Sequence, residues 1–463
     1  MDVQILNGYG DFVKRKFAAI QPCGFDVGDM PASLFPHQSD LVRWAVKRGR
    51  AAIFADTGLG KSRMQLAWAD AVHRKTGEDI LILAPLAVAQ QTVREGSEIG
   101  ITVTHCREVA DVRPGINIAN YERIHKFDMP FGGIVLDESS IIKHHDAKTF
   151  RILTERFART AYKLCATATP APNDWTELGT HAEFLGICSR AEMLAEFFTH
   201  DGGETSIWRL KGHARHIFWQ WVVSWGALIR RPSDLGHDDR AYELPPLHLV
   251  EHTVDTSMPT NGALFAMEAQ TLSERRDARR FSLEDRVKAC ADAVNGDLQA
   301  WVVWCDLNAE GDALRAAIPG AVEIRGSDDA ETKERRLIDF AEGRIRVLIT
   351  KPSIAGFGLN WQHCARMAFV GVTDSFEAYY QAVRRCWRFG QDKQVNVHVF
   401  ASEAEGAIVA NLKRKEKDAL AMSESLSAET KDAVFASIKS AMKQTNDYKA
   451  STQVRVPSFL EAA

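Results

Sequence analysis

The stretch that most constrains this chain is Ala51-Ala-Ile-Phe-Ala-Asp-Thr-Gly-Leu-Gly-Lys-Ser62, followed by Arg63-Met-Gln-Leu-Ala-Trp-Ala69. The short apolar run reads as a buried strand, the glycines as a tight turn, and the residues after them as a helix. A strand that feeds a glycine turn and then a helix N-terminus aims several backbone N–H groups at one point, which suits a polyphosphate. Thr57, Gly58, Gly60, Lys61 and Ser62 form that cradle, with Lys61 reaching the β- and γ-phosphates and the Ser62 hydroxyl ligating Mg²⁺. Ala55 stands where the strict GxxxxGK[ST] pattern has its first glycine, so an ordinary left-handed turn beside a surface lysine is the competing reading.

The rest of the chain supplies sheets for such a turn to sit on. Strand-like runs at Ala51–Ala55, Ile80–Ala84, Ile101–His105, Ile116–Asn120, Ile134–Asp137 and Tyr162–Ala166 alternate with helix-like segments. Nearly unbroken apolar strands between helices imply an α/β fold whose parallel sheet is covered on both faces. A second series follows at Ala300–Cys305, Val347–Thr350, Met367–Gly371 and Val395–Phe400, preceded by a period-two run over Leu247–Val254. Two parallel-sheet domains are therefore expected on one chain. Between them, residues 180–230 carry tryptophans at 208, 219, 221 and 225 with little strand pattern, which reads as a helical insertion with an aromatic core. From Arg414 onward Lys, Glu, Ala and Ser recur at helical spacing, which reads as one exposed helix and a frayed end.

Composition narrows the class without deciding it. The chain has 463 residues, 25% of them charged, and a net charge of −4, so no uniformly basic coat for nucleic acid is present while a local basic groove remains open. Its eight cysteines are dispersed without a CxxC pair, which reads as free thiols in a reducing compartment. No apolar run reaches the ~18 residues of a membrane span, and no signal-peptide pattern appears. A cytoplasmic protein is expected.

Three further stretches carry chemistry. Gly133-Ile-Val-Leu-Asp137-Glu138 is an apolar strand ending in two carboxylates, which puts Asp137 at the sheet edge where α/β folds bind ligands. Asp137 can hold Mg²⁺ through water, and Glu138 can polarise the water that attacks a γ-phosphate. Leu164-Cys-Ala-Thr-Ala-Thr-Pro170 ends a strand in small hydroxyl residues, either a simple turn or a hydrogen-bonded relay sensing the phosphate. In Gln381-Ala-Val-Arg-Arg-Cys-Trp-Arg-Phe-Gly-Gln391, Arg385 and Arg388 fall three apart, on one face if the segment is helical. Two guanidiniums so placed can neutralise charge on a transferring phosphoryl group.

The order of these pieces over about residues 34–400 resembles the Swi/Snf-type ATPases of helicase superfamily two. Leu34-Phe-Pro-His-Gln38 with Trp44 is similar to the family's adenine-reading element, with Gln38 on the base. Asp56–Ser62 resembles its phosphate loop, and Leu83-Ala-Pro-Leu86 and Asn120-Tyr-Glu122 resemble its first-lobe nucleic-acid motifs. Asp137-Glu-Ser-Ser-Ile-Ile-Lys143 corresponds to Asp-Glu-Ala-His-x-x-Lys, and Thr167-Ala-Thr-Pro170 with Asn173, Glu177 and Leu178 to Thr-Gly-Thr-Pro-x-x-Asn…Glu-Leu. Arg230-Arg231 before Leu244-Pro-Pro246 resembles the lobe-bridging stretch, and Gly356-Phe-Gly-Leu-Asn360 resembles motif V, with Gly358 beside the nucleotide. Gln381, Arg385, Arg388, Gly390 and Gln391 form the most specific match. Ser140 replaces the family's histidine, Ala355 replaces a glycine, and Trp361 replaces a small aliphatic residue.

The resemblance implies two tandem RecA-like lobes closing on ATP and Mg²⁺, and the chain is similar to the bare motors of viruses and bacteria. It divides as a leader (1–30), lobe 1 (31–180), a helical insertion and linker (181–243), lobe 2 (244–413) and a C-terminal helix with tail (414–463). The implied partner is DNA, duplex or branched, held largely through phosphates, with candidate contacts at Pro85, Asn120, Lys351 and Asn360. The clusters Arg275-Arg276…Arg279-Arg280 and Lys413-Arg-Lys415 are interleaved with acids and read first as solvated helix faces. A strand-separating DNA or RNA helicase, a P-loop phosphotransferase and a non-hydrolysing DNA clamp are the alternative readings.

Overall fold

The structure, a computed structural model, describes residues 22–85, 88–171, 174–201, 204–254, 280–355, 360–370, 376–402, 414 and 431–439. Leu86, Asn173, Gly358 with the rest of 356–359, Arg275, Arg276, Arg279, Lys413, Lys415 and most of the expected leader lie outside the described residues.

The chain order begins α1 (Pro36–Arg48), β1 (Arg50–Ala55), α2 (Lys61–Thr76), β2 (Ile80–Ala84), α3 (Val88–Glu98), β3 (Val103–His105), β4 (Ile116–Asn120), β5 (Gly133–Asp137), α4 (Lys148–Arg156) and β6 (Tyr162–Thr167). It continues through α5 (Leu178–Leu185), α6 (Arg190–Phe197), β7 (Phe198–Asp201), β8 (Glu204–Leu210), α7 (Arg215–Val223) and β9 (Gly226–Ile229). The second half holds β10 (Leu247–Val254), α8 (Leu283–Asn295), β11 (Trp301–Trp304), α9 (Asn308–Ala317), β12 (Val322–Glu323), α10 (Ala330–Ala341), β13 (Val347–Thr350), α11 (Pro352–Ala355), β14 (Arg366–Phe369), α12 (Phe376–Val383) and β15 (Val395–Ser402). A last helix, α13, covers 431–439.

Two parallel sheets result, one of seven strands in the order β3-β4-β2-β5-β6-β1-β9 and one of six in the order β10-β15-β14-β11-β13-β12. Alternation of side chains along each strand feeds two cores per lobe. Ala51, Ile53 and Ala55 of β1 face one core with residues of α1 and α2, whereas Ala52 and Phe54 face the other with residues of α5 and α7. In lobe 2, Val302 and Trp304 enter one core and Trp301 and Val303 the other. Burial on both faces explains why these strands read as continuous apolar runs.

Two expectations are corrected. The segment read as a helical insertion does contain α5, α6 and α7, but it also forms the antiparallel hairpin β7–β8 and supplies β9, which pairs with β1 at the edge of the first sheet. β9 is only four residues long and follows a tryptophan-rich helix without a break in hydrophobicity, so its own period was hidden. Trp219, Trp221 and Trp225 are buried in the lobe 1 core beside Phe197 and Phe218, as the packing reading expects.

The helix near the C-terminus is not a free, exposed one. On α13, Val434 and Ile438 are buried in the lobe 1 core. Trp44 Nε1 of α1 donates to Ser437 Oγ at 3.0 Å. The charged, alanine-rich pattern concealed two apolar positions four apart, enough for one helical stripe. The chain thus leaves lobe 1 for lobe 2 and returns to lobe 1.

Candidate active site

The phosphate loop takes its shape from two glycines. Gly58 and Gly60 have φ of 95° and 80°, a region that side chains disfavour. Space is equally restrictive: a Cβ on Gly60 would stand 2.2 Å from Gln38 Nε2, and one on Gly58 would stand 3.1 Å from the backbone nitrogen of Phe389. Gly60 caps α2, so the helix N-terminus points at the loop. Lys61 Nζ donates to Ala55 O at 3.0 Å and Asp56 O at 3.4 Å. Burial lowers its pKa, opposed chiefly by Glu138, Asp56 and Asp137.

Gln38 lies against this loop at the start of α1, where Pro36 occupies the first turn. Its Oε1 accepts from Phe35 N at 3.1 Å and its Nε2 donates to Leu59 O at 3.0 Å, so one N–H and one lone pair remain for a ligand. Three rings gather beside it. Tyr242, from the linker between lobes, lies 5.6 Å from Phe35 and 4.9 Å from Phe389 of lobe 2, centroid to centroid.

Asp137 and Glu138 stand at the C-terminal end of β5, two strands away from β1. Burial, then the neighbouring charge of Glu138, pushes the Asp137 carboxyl up to about 7. Gln65, one turn beyond Lys61 on α2, donates to Asp137 Oδ1 at 2.5 Å, and Tyr121 Oη–H donates to Asp137 O at 2.7 Å. Glu138 has φ 49°, the one non-glycine residue with positive φ among those described. Left-handed backbone at such a residue costs on the order of 1–3 kcal/mol and concentrates at functional sites.

From lobe 2 come the arginines. They were expected on one helical face, yet α12 ends at Val383 and both lie in the turns beyond it. Those turns are clamped: Trp361 N donates to Arg385 O at 2.9 Å, and Gln391 Nε2 to Cys386 O at 3.1 Å. Trp361, one of the departures from the resembled family, is itself buried against Trp304 and Phe340. Burial lowers the pKa of Arg385, opposed first by Glu138. For Arg388, burial and then the like charge of Arg385 lower it to about 10, opposed by Glu95 and Glu138. Arg388 Nε is buried without a hydrogen-bond partner.

A hydrogen-bonded path joins the two halves. Thr167 Oγ1 donates to Glu138 Oε2 at 3.4 Å and accepts from Thr169 N at 3.2 Å. Thr169 Oγ1 accepts from Gln381 Nε2 at 3.4 Å, and Gln381 O and Oε1 accept from Arg385 Nε and Nη2 at 3.1 and 3.3 Å. The hydroxyl-rich strand end therefore takes the geometry of a relay. Ser140 is buried but is not part of this path; its neighbour Ser139 Oγ lies 3.1 Å from His181 Nε2.

The donor set fits a magnesium polyphosphate. Lys61, Arg385 and Arg388 bring three cationic groups, Arg385 fully buried and the other two partly so, to a cleft that holds Asp137 and Glu138, and the orphaned Arg388 Nε offers a donor to an anion. The raised Asp137 marks a buried carboxylate short of positive charge, the need a divalent cation meets.

The nucleic-acid candidates occupy other strand ends. Pro85 follows β2 and Asn120 ends β4, on the side of β5 away from β6 and β1. In lobe 2, Lys351 follows β13 and Asn360 lies beyond α11. Asn120 Oδ1 and Asn360 Oδ1 are buried without hydrogen-bond partners.

Sequence reasoning did not assign Gln65, Tyr121, Tyr380, Arg384 or Phe389. Gln65 alone had a signal, its four-residue spacing from Lys61.

Residues 308–390 match the family described as helicase conserved C-terminal domain, a span that includes Arg385 and Arg388. No curated protein matches the chain. Among solved structures the chain is similar to the Sulfolobus solfataricus SWI2/SNF2 ATPase core in complex with double-stranded DNA, at 16% identity and a TM-score of 0.42, covering 82% of this chain and 90% of that one. A likeness that loose carries no argument about the site. The matched span, 308–390, lies wholly within the second lobe. No helix among the described residues is long and apolar enough to cross a membrane.

Proposed function

We propose that this chain is a Swi/Snf-type ATPase of helicase superfamily two, a motor that hydrolyses ATP between its lobes and moves along duplex or branched DNA. The observation that carries the reading is the composite cleft: Lys61, Asp137 and Glu138 from one sheet, Arg385 and the orphaned Arg388 Nε from the other. A small-molecule phosphotransferase has no need of a second lobe that donates guanidiniums.

In this reading Thr57, Gly58, Gly60 and Lys61 hold the phosphates, Gln38 reads the base, and Gly358 and Gln381 border the nucleotide from lobe 2. Ser62 and Asp137 would hold magnesium, which would supply positive charge to offset that of the phosphates. Glu138 orients the attacking water and accepts its proton. Arg385 and Arg388 stabilise charge that develops on the transferring phosphoryl group, and they can do so only while the lobes are closed. The path Glu138–Thr167–Thr169–Gln381–Arg385 supports a coupling of phosphate state to lobe position, in place of the histidine absent at Ser140.

Pro85, Asn120, Lys351 and Asn360 are the proposed DNA contacts, placed at strand and helix ends of the two lobes. Affinity through phosphates makes binding salt-dependent and nearly indifferent to sequence. The free, mostly buried cysteines suit a cytoplasmic setting. ATP turnover measured with duplex, forked and single-stranded DNA and with RNA, each at two salt concentrations, tests the proposal. Duplex or forked DNA is expected to stimulate most; stimulation by RNA alone overturns it.

A further inference from the structure

We propose that Asp56 is a positioning residue, which seats the arginine-bearing turn of lobe 2 on the phosphate loop through Tyr380 and Arg384. The proposal rests on the functional reading above and adds to it a residue set outside the nucleotide contacts.

Asp56 is anchored by the sheet, its N donating to Ile229 O of β9 at 2.9 Å. Its carboxylate is shared between lobes. Oδ1 accepts from Thr57 N at 2.6 Å and from Tyr380 Oη–H at 3.0 Å, and Oδ2 accepts from Arg384 Nη2 at 3.3 Å. Arg384 Nε donates to Tyr380 Oη at 3.2 Å, closing a three-residue ring of contacts. The Arg384 guanidinium lies 5.2 Å from the Tyr380 ring centroid and 4.8 Å from that of Trp387. Trp387 is held in turn by Nε1 donating to Pro245 O at 2.7 Å.

Two features separate this contact from an incidental surface pair. Side-chain exposure is 12% for Arg384 and 24% for Asp56, whereas two further ion pairs between the lobes among the described residues, Arg107–Glu331 and Arg94–Glu342, are more open. Exposed pairs of that kind contribute little, while a shielded, charge-assisted pair contributes more. Second, Phe389 packs its backbone against Gly58, so the loop is pinched at Asp56 and at Gly58 by residues 384 and 389. Arg385 and Arg388 lie between those two points in the chain. Arg384 differs from them in role: its charge is committed to Asp56, so it is not a third finger.

The assignment predicts a turnover defect without a nucleotide-binding defect. With saturating duplex DNA, Asp56→Asn and Arg384→Ala are each expected to lower kcat about 10-fold while the ATP KM stays within about twofold, as for loss of one charge-assisted bond that aligns a transition-state group. The double variant is expected to be no slower than the slower single, because both remove one interaction. Arg384→Lys, which keeps the charge, is expected to recover part of the rate. A second readout uses fluorescence energy transfer between dyes on exposed positions of α3 and α10, with thermal midpoints checked for each variant. Asp56→Asn and Arg384→Ala are expected to broaden the inter-lobe distance distribution at unchanged midpoint.

Wild-type kcat in the single variants, a raised KM at unchanged kcat, or a 100-fold additive loss in the double variant overturns the proposal. If the wild type hydrolyses no ATP with any nucleic acid, the functional reading falls instead. The dye measurement still decides the seating, and an unchanged distribution then overturns it.

Discussion

The two lobes bring different chemistry to the same cleft. Lobe 1 contributes both signs of charge, Lys61 at the start of α2 and Asp137 and Glu138 at the end of β5, all carried on one hydrogen-bonded sheet. Lobe 2 contributes guanidiniums on turns that only side chains and loop contacts hold. The difference teaches where regulation can enter. Lobe 1 alone forms a cradle whose geometry the sheet dictates, whereas the arginines act only as well as the lobes are docked.

The sharpest test of this asymmetry removes the lobe 2 contribution. Arg388→Ala or Arg385→Ala is expected to lower DNA-stimulated kcat by about 10³-fold or more, the range for arginine fingers, with ATP affinity far less affected. Steady-state turnover beside equilibrium binding of a fluorescent ATP analogue checks it. Equal losses in binding and turnover would mean that the arginines belong to the ground-state cradle, as Lys61 does.

Within lobe 1, Glu138→Gln is expected to retain ATP and DNA binding and to lose about 10²- to 10⁴-fold in turnover, because the water loses its base. Retained turnover would assign the base to another group. Since Glu138 sits in left-handed backbone, Glu138→Gly is expected to lose turnover while relieving strain, seen as a thermal midpoint no lower than that of Glu138→Gln.

The return of the chain to lobe 1 gives a stability contrast. Ile438→Ala is expected to cost about 2–4 kcal/mol, the cost of emptying a buried aliphatic position. Chemical denaturation should show that loss in the lobe 1 transition, with lobe 2 little changed.

The smallest effects are in pH. Asp137 is raised by burial and by Glu138 to about 7 from an ordinary 3.8, so its contribution to stability is full below pH 3.8 and is lost as pH rises through 7. Relative to Asp137→Asn, the thermal midpoint of the protein without magnesium should fall across that window, and magnesium affinity should rise. Histidines behave oppositely. Burial lowers His37 and His181 of lobe 1 and His398 of lobe 2 from 6.5 to about 4, so their contribution is present above 6.5 and is lost as pH falls through 4. Acid unfolding followed for His181→Gln should be shifted to lower pH if the buried, neutral imidazole sets this loss.

Much of the framework was legible because buried parallel strands leave a local mark. Ile80–Ala84, Ile116–Asn120 and Val347–Thr350 are bounded in the structure where their apolar runs begin and end. β9 and β12 were missed for the opposite reason: β9 is merged with the apolar, tryptophan-rich helix before it and β12 is two residues long, so neither has a bounded run of its own. Residues such as Lys61 and Asp137 were readable from a strand and the turn after it. Asp56, Tyr380 and Arg384 were not, since their meaning lies in a contact between residues more than 320 apart in sequence.

The sequence by itself determined the local units: a strand ending in a glycine turn, a strand ending in two carboxylates, a tract with arginines three apart. Each depends on hydrophobic period and backbone freedom within a few neighbouring residues. Only the tertiary structure decided that these units face one another, that Arg384 is neutralised while Arg388 keeps an unpaired N–H, and that α13 closes back on lobe 1. Packing and charge pairing act through space, and no local pattern encodes which distant surface a side chain will meet.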